Sequence, residues 1–358
     1  MGLLEVLSTA TVDGAGSRNG KAMCLVCPHG CSLRTNQVGR CGVRVGTLAG
    51  EVVPHPAQLV AARGIGNVEN HPLFHFYAGM MTLGVGAIGC SAACRYCQNW
   101  ELALAHKVNR SWNASPVATS ADDLIAVAQR RGCGAIAFTY NEPTVWPEAI
   151  VEIAGLARES GLRVIIATNG FVTERTLEVI APYLDAVKLD LKAHNEIFYR
   201  RIAGISLQGV LRTLEYLRAH NIWHEVSTVI VPGGNDSPQA VRLMARHILA
   251  QSGPETPWHL MRFFPAYEMV EAQSGTLETL RAARSMAMEE GIRHVYISNI
   301  PALPERNTYC AQCGALLVVR GLAGTHLVAE GRRKLDGGQK EALCIECSKC
   351  HYSVPGIW

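Results

Sequence analysis

The sequence predicts an α/β fold, a full or partial (β/α) barrel with small cysteine-rich, metal-binding segments at both termini. Three observations carry that expectation. Residues near 75 to 300 alternate short β-rich runs with helix-period segments. Twelve of the thirteen cysteines fall into three groups at metal-ligand spacing, two of which flank the alternating region. The length of 358 residues accommodates a barrel of about 200–250 residues with two appendages. The expected division is residues 1–70, a cysteine-rich segment; 71–304, the barrel; and 305–358, a zinc-ribbon-like domain.

In chain order, the first cysteine group is Cys24-x2-Cys27-Pro-His-Gly-Cys31-x9-Cys41, four thiols separated by turn-forming Pro and Gly. The segment has too few apolar residues for a core of its own, so a metal is expected to supply its folding free energy. Spacing alone fits zinc or a closed 4Fe-4S cluster, and His29 is an alternate ligand. Strands are then expected at 80–86, 135–140, 163–168, 186–191, 225–231, 259–264 and 294–298. Helices are expected at 121–131, 146–160, 174–184, 207–220, 238–251 and 276–290. Repeated βα units demand a parallel sheet with helices outside it. A flat doubly wound sheet is the alternative, but no Gly-x-Gly-x-x-Gly turn follows the first strand. At the carboxyl end, Cys310-x2-Cys313 and Cys347-x2-Cys350, joined by a hairpin-like stretch, read as a structural zinc ribbon. Cys344 is then surplus, although with Cys347 it makes a second C-x2-C, so the pairing stays open.

Composition excludes several classes. A net charge of +3 and 18% charged residues argue for neither nucleic-acid binding nor disorder. No stretch approaches the ~20 apolar residues of a membrane span, and residues 1–21 lack the apolar centre of a signal peptide. With cysteines at metal rather than disulfide spacing, a cytoplasmic location is expected. Cys133, in an apolar run, reads as a small buried hydrophobe.

The middle group is the most informative. Cys90-x3-Cys94-x2-Cys97 places three thiolates on one loop after the first barrel strand, which suits a 4Fe-4S cluster with one iron open to another ligand. A structural zinc would need a fourth protein ligand. In βα barrels the working residues sit at the carboxyl ends of strands. There the chain has Asn141 and Glu142, placed to receive an ammonium, or else a helix-capping turn; then Asn169 in a tight polar turn. Lys188, Asp190 and Lys192 share one strand face. His259 and Arg262, three apart, cannot both face inward without a bulge unless one lies at the rim, and His259 also fits a satisfied core position.

Together, Cys-x3-Cys-x-Tyr-Cys-Gln-Asn, Tyr-Asn-Glu-Pro-Thr, Asp-Leu-Lys-Ala, Pro-Gly-Gly-Asn-Asp-Ser and Pro-Trp-His-x-x-Arg-Phe resemble the AmmeMemoRadiSam-system radical S-adenosylmethionine (SAM) proteins, relatives of pyruvate formate-lyase activating enzyme. The resemblance implies a barrel of the radical SAM type. It also implies that SAM chelates the open iron at Cys90, Cys94 and Cys97 and is cleaved to a 5′-deoxyadenosyl radical that abstracts hydrogen from a substrate. The family's Gly-Gly-Glu-Pro, which binds the SAM amino group, is Asn-Glu-Pro here; it departs at the glycines but keeps the carboxylate of Glu142 beside Asn141. Asp190 and Lys192 correspond to the element at the SAM carboxylate and ribose. Tyr96, Asn169, His259 and Arg262 complete the expected SAM or substrate contacts. A flavodoxin or ferredoxin is the implied electron donor. The substrate is a small molecule or peptide, with Memo-like and AMMECR-like proteins as partners, or a glycyl-radical enzyme; a non-catalytic zinc-binding interaction protein is the reading from another class.

Overall fold

The computed structural model describes residues 7–12, 18–55, 62–107, 120–328, 331–334 and 344–358. Parts of the amino-terminal stretch 1–21, and of the segment between the carboxyl-terminal cysteine pairs, therefore lie outside the described residues.

The centre of the fold is one eight-stranded sheet: β1 (Ala62–Asn67), β2 (Met81–Gly86), β3 (Ala135–Phe138), β4 (Arg163–Thr168), β5 (Ala186–Asp190), β6 (His224–Ile230), β7 (Trp258–Arg262) and β8 (Val295–Ile297). Strands β2 to β8 are parallel, each bonded to the next in chain order, and β1 joins β2 antiparallel. A strand order that never reverses, with right-handed crossovers, puts the helices on one face. The barrel is partial, because β1 and β8 are the two edges of the sheet.

Local sequence explains the elements. All four side chains of β3, Ala-Ile-Ala-Phe, are buried, as expected for a strand covered on both faces. The helices are α1 (Ala121–Arg130), α2 (Pro147–Glu159), α3 (Glu174–Ile180), α4 (Leu207–Ala219), α5 (Pro238–Gln251) and α6 (Leu277–Glu289). Five start at a hydroxyl cap: Ser120, Thr173, Ser206, Ser237 and Thr276 each accept the backbone N–H three residues on. Helix α2 buries Ile150, Ile153, Ala154 and Ala157, the i, i+3, i+4, i+7 stripe that faces a sheet. The expected helix 174–184 stops at Ile180 and continues as a single 3₁₀ turn, Ala181–Tyr183, since Pro182 has no N–H to extend the ladder.

Two features depart from the sequence reading. Strand β1, Ala-Arg-Gly-Ile-Gly-Asn, lies within the segment expected as amino-terminal yet belongs to the barrel sheet. Its glycines lower strand propensity, but a Cβ at Gly64 would collide with the Tyr140 hydroxyl, so the close approach requires glycine. The four-cysteine segment also has a small core after all, formed by Leu7, Ala22, Val26, Leu33 and Val52. It leans on the barrel for the rest. The buried Arg44 guanidinium donates to both carboxylate oxygens of Glu148 on α2, at 2.7 and 2.8 Å, and the hydroxyls of Thr173 and Thr176 donate to the carbonyls of Leu25 and Val26. The carboxyl-terminal ribbon has its own core of Leu317, Val318, Ile345, Val354 and Trp358. It docks beneath the sheet, where Ile357 exchanges backbone hydrogen bonds with the segment from His75 to Tyr77.

Candidate active site

A cavity of about 280 Å³ opens at the carboxyl ends of the strands. The loop after β2 brings Cys90, Cys94 and Cys97 to its wall; the ends of β3, β4 and β5 bring Asn141, Glu142, Asn169, Lys188, Asp190 and Lys192. This loop is short of regular structure, so its polar groups are satisfied from outside. The Ala93 and Arg95 N–H groups donate to the Ala203 and Ile202 carbonyls at 2.8 and 3.0 Å, and the Cys90 N–H donates to the Cys41 carbonyl at 3.1 Å. The side chain of Asn141 accepts from the Ala87 N–H and donates to the Gly89 carbonyl at 2.8 Å, so it braces the loop from inside the sheet. Gly89 has φ +91°, and a Cβ there would overlap Val43 and the Cys41 carbonyl; only glycine lets the two cysteine-bearing segments meet.

Burial pushes the thiols of Cys90 and Cys94 above their usual range, so each favours the protonated form until a metal displaces the proton. Asn169 Nδ2, 3.7 Å from Cys90 Sγ, is a weak donor to that sulfur. Among the described residues lining the cavity there is no fourth cysteine and no histidine. Three soft donors without a fourth fit an iron-sulfur cluster that leaves one iron for an outside ligand.

The carboxylates around the thiols are held in different ways. Glu142 is buried; its Oε1 accepts from the Thr144 N–H and from the Thr144 and Thr168 hydroxyls, and its Oε2 accepts from the Asn169 N–H at 2.7 Å. Burial raises its pKa, against the pull of those donors. With a single bond on Oε2, a lone pair remains for a cation. Asp190 sits between Lys188 and Lys192, its oxygens 2.5 and 3.6 Å from their Nζ atoms, and it also accepts from Ser227 Oγ. Burial alone would raise its pKa, but the two ammonium groups and the hydrogen bonds prevail and bring it to about 2. Burial likewise opposes the Lys192 ammonium, and the charges around it, Asp190 among them, more than restore it. Asn169 spans to Ser91 Oγ at 3.1 Å. Tyr96 lines the cavity with its ring edge-on to Phe263 at 6.1 Å.

His259 is a correction. Pairing from Val226↔Trp258 to Ile230↔Arg262 is unbroken, so there is no bulge and the two side chains diverge. Arg262, the last residue of β7, stays at the cavity rim with its guanidinium 5.2 Å from the Phe264 ring centroid and Nε donating to the Gly275 carbonyl. His259 lies below, fully buried and outside the lining. Its Nε2 faces Glu225 Oε2 and its Nδ1 faces Ser298 Oγ, both at 2.7 Å. Burial lowers its pKa despite Glu225; the neutral ring donates to the carboxylate and accepts from the hydroxyl. Sequence reasoning missed several lining residues: Gln98, Asn99, Tyr140, Met261, Phe264 and Asn299. Met261 had a signal, since period two puts it on the face of His259, one step nearer the strand end. Gln98, Asn99 and Tyr140 stand within the quoted motifs, beside the residues singled out there; Phe264 and Asn299 had no signal.

The two outer cysteine groups differ. In the ribbon, Cys310, Cys313, Cys347 and Cys350 have sulfurs all within 4.8 Å of one another, with Cys310–Cys350 at 3.4 Å and Cys313–Cys347 at 3.6 Å. That spacing matches four sulfurs about a single ion, since bonds of about 2.3 Å in a tetrahedron separate them by ~3.8 Å. Cys344, at the start of the strand Cys344–Cys347, stays outside this group. In the amino-terminal group Cys24, Cys27 and Cys41 are buried and Cys31 is partly so. His29 is not turned to them: its Nε2 is 2.9 Å from the Ser91 carbonyl, and its ring is edge-on to Phe171.

The sequence is similar to those of known proteins. The family model of the Radical SAM superfamily matches residues 86–247. An uncharacterized protein of Methanocaldococcus jannaschii is 32% identical over 308 residues, covering 86% of this chain and 90% of that protein. The pyruvate formate-lyase-activating enzyme of Clostridium pasteurianum is 28% identical over 170 residues, 45% of this chain and 66% of the enzyme. Among solved structures, a radical SAM methyltransferase from Sphaerobacter thermophilus superposes with a TM-score of 0.48 at 18% identity, covering 67% of this chain and 71% of that one. With its three-cysteine loop at the mouth of a partial βα barrel, the chain belongs to the radical SAM superfamily and is a radical SAM enzyme.

Proposed function

We propose that Cys90, Cys94 and Cys97 hold a 4Fe-4S cluster whose open iron takes SAM, and that the radical so made abstracts hydrogen from a small-molecule or peptide substrate. The observation that carries this reading is the convergence of the three thiols with Glu142, Asp190 and Lys192 on one cavity. When bound, the cluster and SAM together supply a one-electron cleavage of the sulfonium, giving methionine and a 5′-deoxyadenosyl radical.

The chain's own groups do the positioning. Glu142, already oriented by four donors, offers its free lone pair to the SAM ammonium. Lys192, with its charge held by Asp190, attracts the SAM carboxylate, and Asp190 accepts from a ribose hydroxyl. Asn169 steadies the loop at Ser91, while Tyr96 and Phe263 keep water from the thiols. Arg262 and Phe264 at the rim face the incoming substrate. The ribbon takes one structural zinc on Cys310, Cys313, Cys347 and Cys350. A cytoplasmic setting, a flavodoxin or ferredoxin as donor, and Memo-like and AMMECR-like partners complete the proposal.

Anaerobic reconstitution followed by dithionite and SAM tests it. 5′-Deoxyadenosine is expected, and its absence with all three loop cysteines intact overturns the reading. The similarity to an activating enzyme favours a second reading, activation of a glycyl-radical enzyme. In that case a glycyl radical doublet appears by electron paramagnetic resonance in the partner protein, and SAM is cleaved without modification of any small substrate.

A further inference from the structure

We infer that the side chain of Tyr140 is a radical shield: it covers the inward α-hydrogens of Gly64, Gly84 and Gly86 and keeps the deoxyadenosyl radical from taking them. The shield rests on the SAM chemistry proposed above; the geometry behind it does not. Alternation along β2 sends Leu83 and Val85 into the core shared with the helices, so Gly84 and Gly86 turn to the barrel interior, and Gly64 of β1 is paired with Gly84. On each glycine a hydrogen points where a side chain would begin, and what it meets is the turn at 139 and 140. A Cβ at Gly84 would lie 3.1 Å from the Tyr140 hydroxyl and 3.3 Å from Thr139 Cγ2. One at Gly86 would lie 3.0 Å from the Tyr140 ring and 2.7 Å from the Thr139 carbonyl, and one at Gly64 would strike the Tyr140 hydroxyl. Thr139 and Tyr140 line the cavity, and the three glycines do not. The tyrosine stands between.

Packing alone does not call for this arrangement. Tyr140 has φ +73°, a left-handed conformation that is costly for a bulky residue, and Asn99 Nδ2 holds it by donating to the Tyr140 carbonyl at 2.8 Å. With glycine at 140 the strain would vanish, and alanines would fit at 64 and 84, where the Tyr140 hydroxyl is the nearest obstacle. The chain instead carries its bulk at the strained position, next to Asn141 and Glu142. Radical chemistry supplies a reason. The α-C–H of glycine is the weakest in the backbone, because the radical it leaves is stabilised by the amide groups on both sides and no Cβ crowds it. Any other residue screens its own Cα with a side chain. Aromatic C–H bonds, by contrast, are stronger than the C–H that the deoxyadenosyl radical forms, so a ring face is inert to it. The weaker bonds of the tyrosine itself, at Cβ and at oxygen, lie on the glycine side, at Gly86 and at Gly84. The reaction held off is balanced: a glycine Cα–H bond breaks, a C5′–H bond forms, and the unpaired electron passes from C5′ to Cα.

Full-length protein grown on glycine deuterated at its α-carbon is reconstituted anaerobically and given dithionite and SAM with no further substrate. Wild type and Tyr140→Phe, which keeps the ring, should release 5′-deoxyadenosine free of deuterium. Tyr140→Asn removes the ring, tolerates a left-handed backbone and adds no glycine. It should put deuterium into most of its 5′-deoxyadenosine. Electron paramagnetic resonance should then show a glycyl radical, a doublet in unlabelled protein that collapses to one line in labelled protein. An electron from dithionite and a proton from water return that radical to glycine, so tandem mass spectrometry of the tryptic peptide 64–95 should find one deuterium lost at residue 64, 84 or 86. A merely structural tyrosine would shift the thermal melt of Tyr140→Asn and leave its product unlabelled. Unlabelled product from Tyr140→Asn, or equal labelling in all three proteins, would overturn the shield and leave the SAM reading intact. No 5′-deoxyadenosine from any of the three would overturn that reading and the shield with it.

Discussion

At the level of single residues the cavity depends on carboxylates whose oxygens are mostly spoken for. Glu142 takes four donors on two oxygens, and glutamine cannot copy it. One side of the amide would meet the Thr144 and Thr168 donors correctly, but its NH₂ would then oppose the Asn169 N–H. Glu142→Gln should therefore cost about 1–3 kcal/mol of stability and weaken SAM binding by roughly 10- to 100-fold through loss of a charge-assisted bond. Thermal melts and equilibrium binding check both, and unchanged SAM affinity would remove Glu142 from the site. Asp190 makes a prediction about pH. Its carboxyl sits at about 2, below the ordinary 3.8, so its contribution is present above the ordinary value and lost as pH falls toward 2. In urea titrations the stability difference between wild type and Asp190→Asn should hold from pH 7 to 5 and narrow below about pH 4; a difference unchanged into that acid range would mean the lysines are not paired with Asp190.

At the level of elements, strand β7 shows how far a sequence can be read and where reading stops. Most barrel strands and helices were legible because parallel strands covered on both faces are continuous apolar runs and helices keep their 3.6 period; 163–168 and 238–251 agree to the residue. The three thiols and Glu142, Asp190 and Lys192 were legible because they sit where such strands end. Parity showed that His259 and Arg262 part company, but not which one turns to the cavity, because that depends on how far along the strand the cavity floor lies. Below the cavity lies a buried network of polar residues from elsewhere: Glu225 accepts the Phe74 and His75 N–H groups as well as His259, and Tyr296 bonds both His75 and Thr308. No local pattern announces such a network. Nor does one announce β1, whose glycines read as a loop until a partner strand is beside them. His259→Ala should leave Glu225 and Ser298 short of a partner in a sealed interior, costing about 3–5 kcal/mol, while SAM affinity per folded molecule stays unchanged. Denaturant titration and binding of the folded fraction decide it, and a loss of affinity without a loss of stability would return His259 to the site.

At the level of the whole molecule, the two cysteine-rich segments grip the barrel at opposite ends and should fail differently. The amino-terminal segment meets the mouth through Cys41 and His29, whereas the ribbon meets the base. There Arg320 is buried over the Phe74 ring at 4.5 Å, donates to the Phe74 carbonyl and to Thr308 Oγ1, and Ile357 extends the backbone of His75 to Tyr77. The segment at 74 and 75 hangs in turn from Glu225 at the foot of β6. Loosening the ribbon therefore removes support from beneath the sheet without touching a residue of the cavity. Cys310→Ala takes one of four sulfurs from a group set for a single ion, and a structural metal contributes folding free energy rather than chemistry. A loss of about 3 kcal/mol, divided by an unfolding entropy of about 2.1 cal/mol/K per residue, would lower Tm by roughly 4 °C. Zinc should fall from one per chain to none, while iron content and 5′-deoxyadenosine formation per folded molecule stay at wild-type levels below the transition. Metal analysis, a thermal melt and a SAM-cleavage assay on the same preparation settle the matter. Loss of SAM cleavage with the melt unchanged would show that the ribbon acts on the mouth of the barrel and not only on its base.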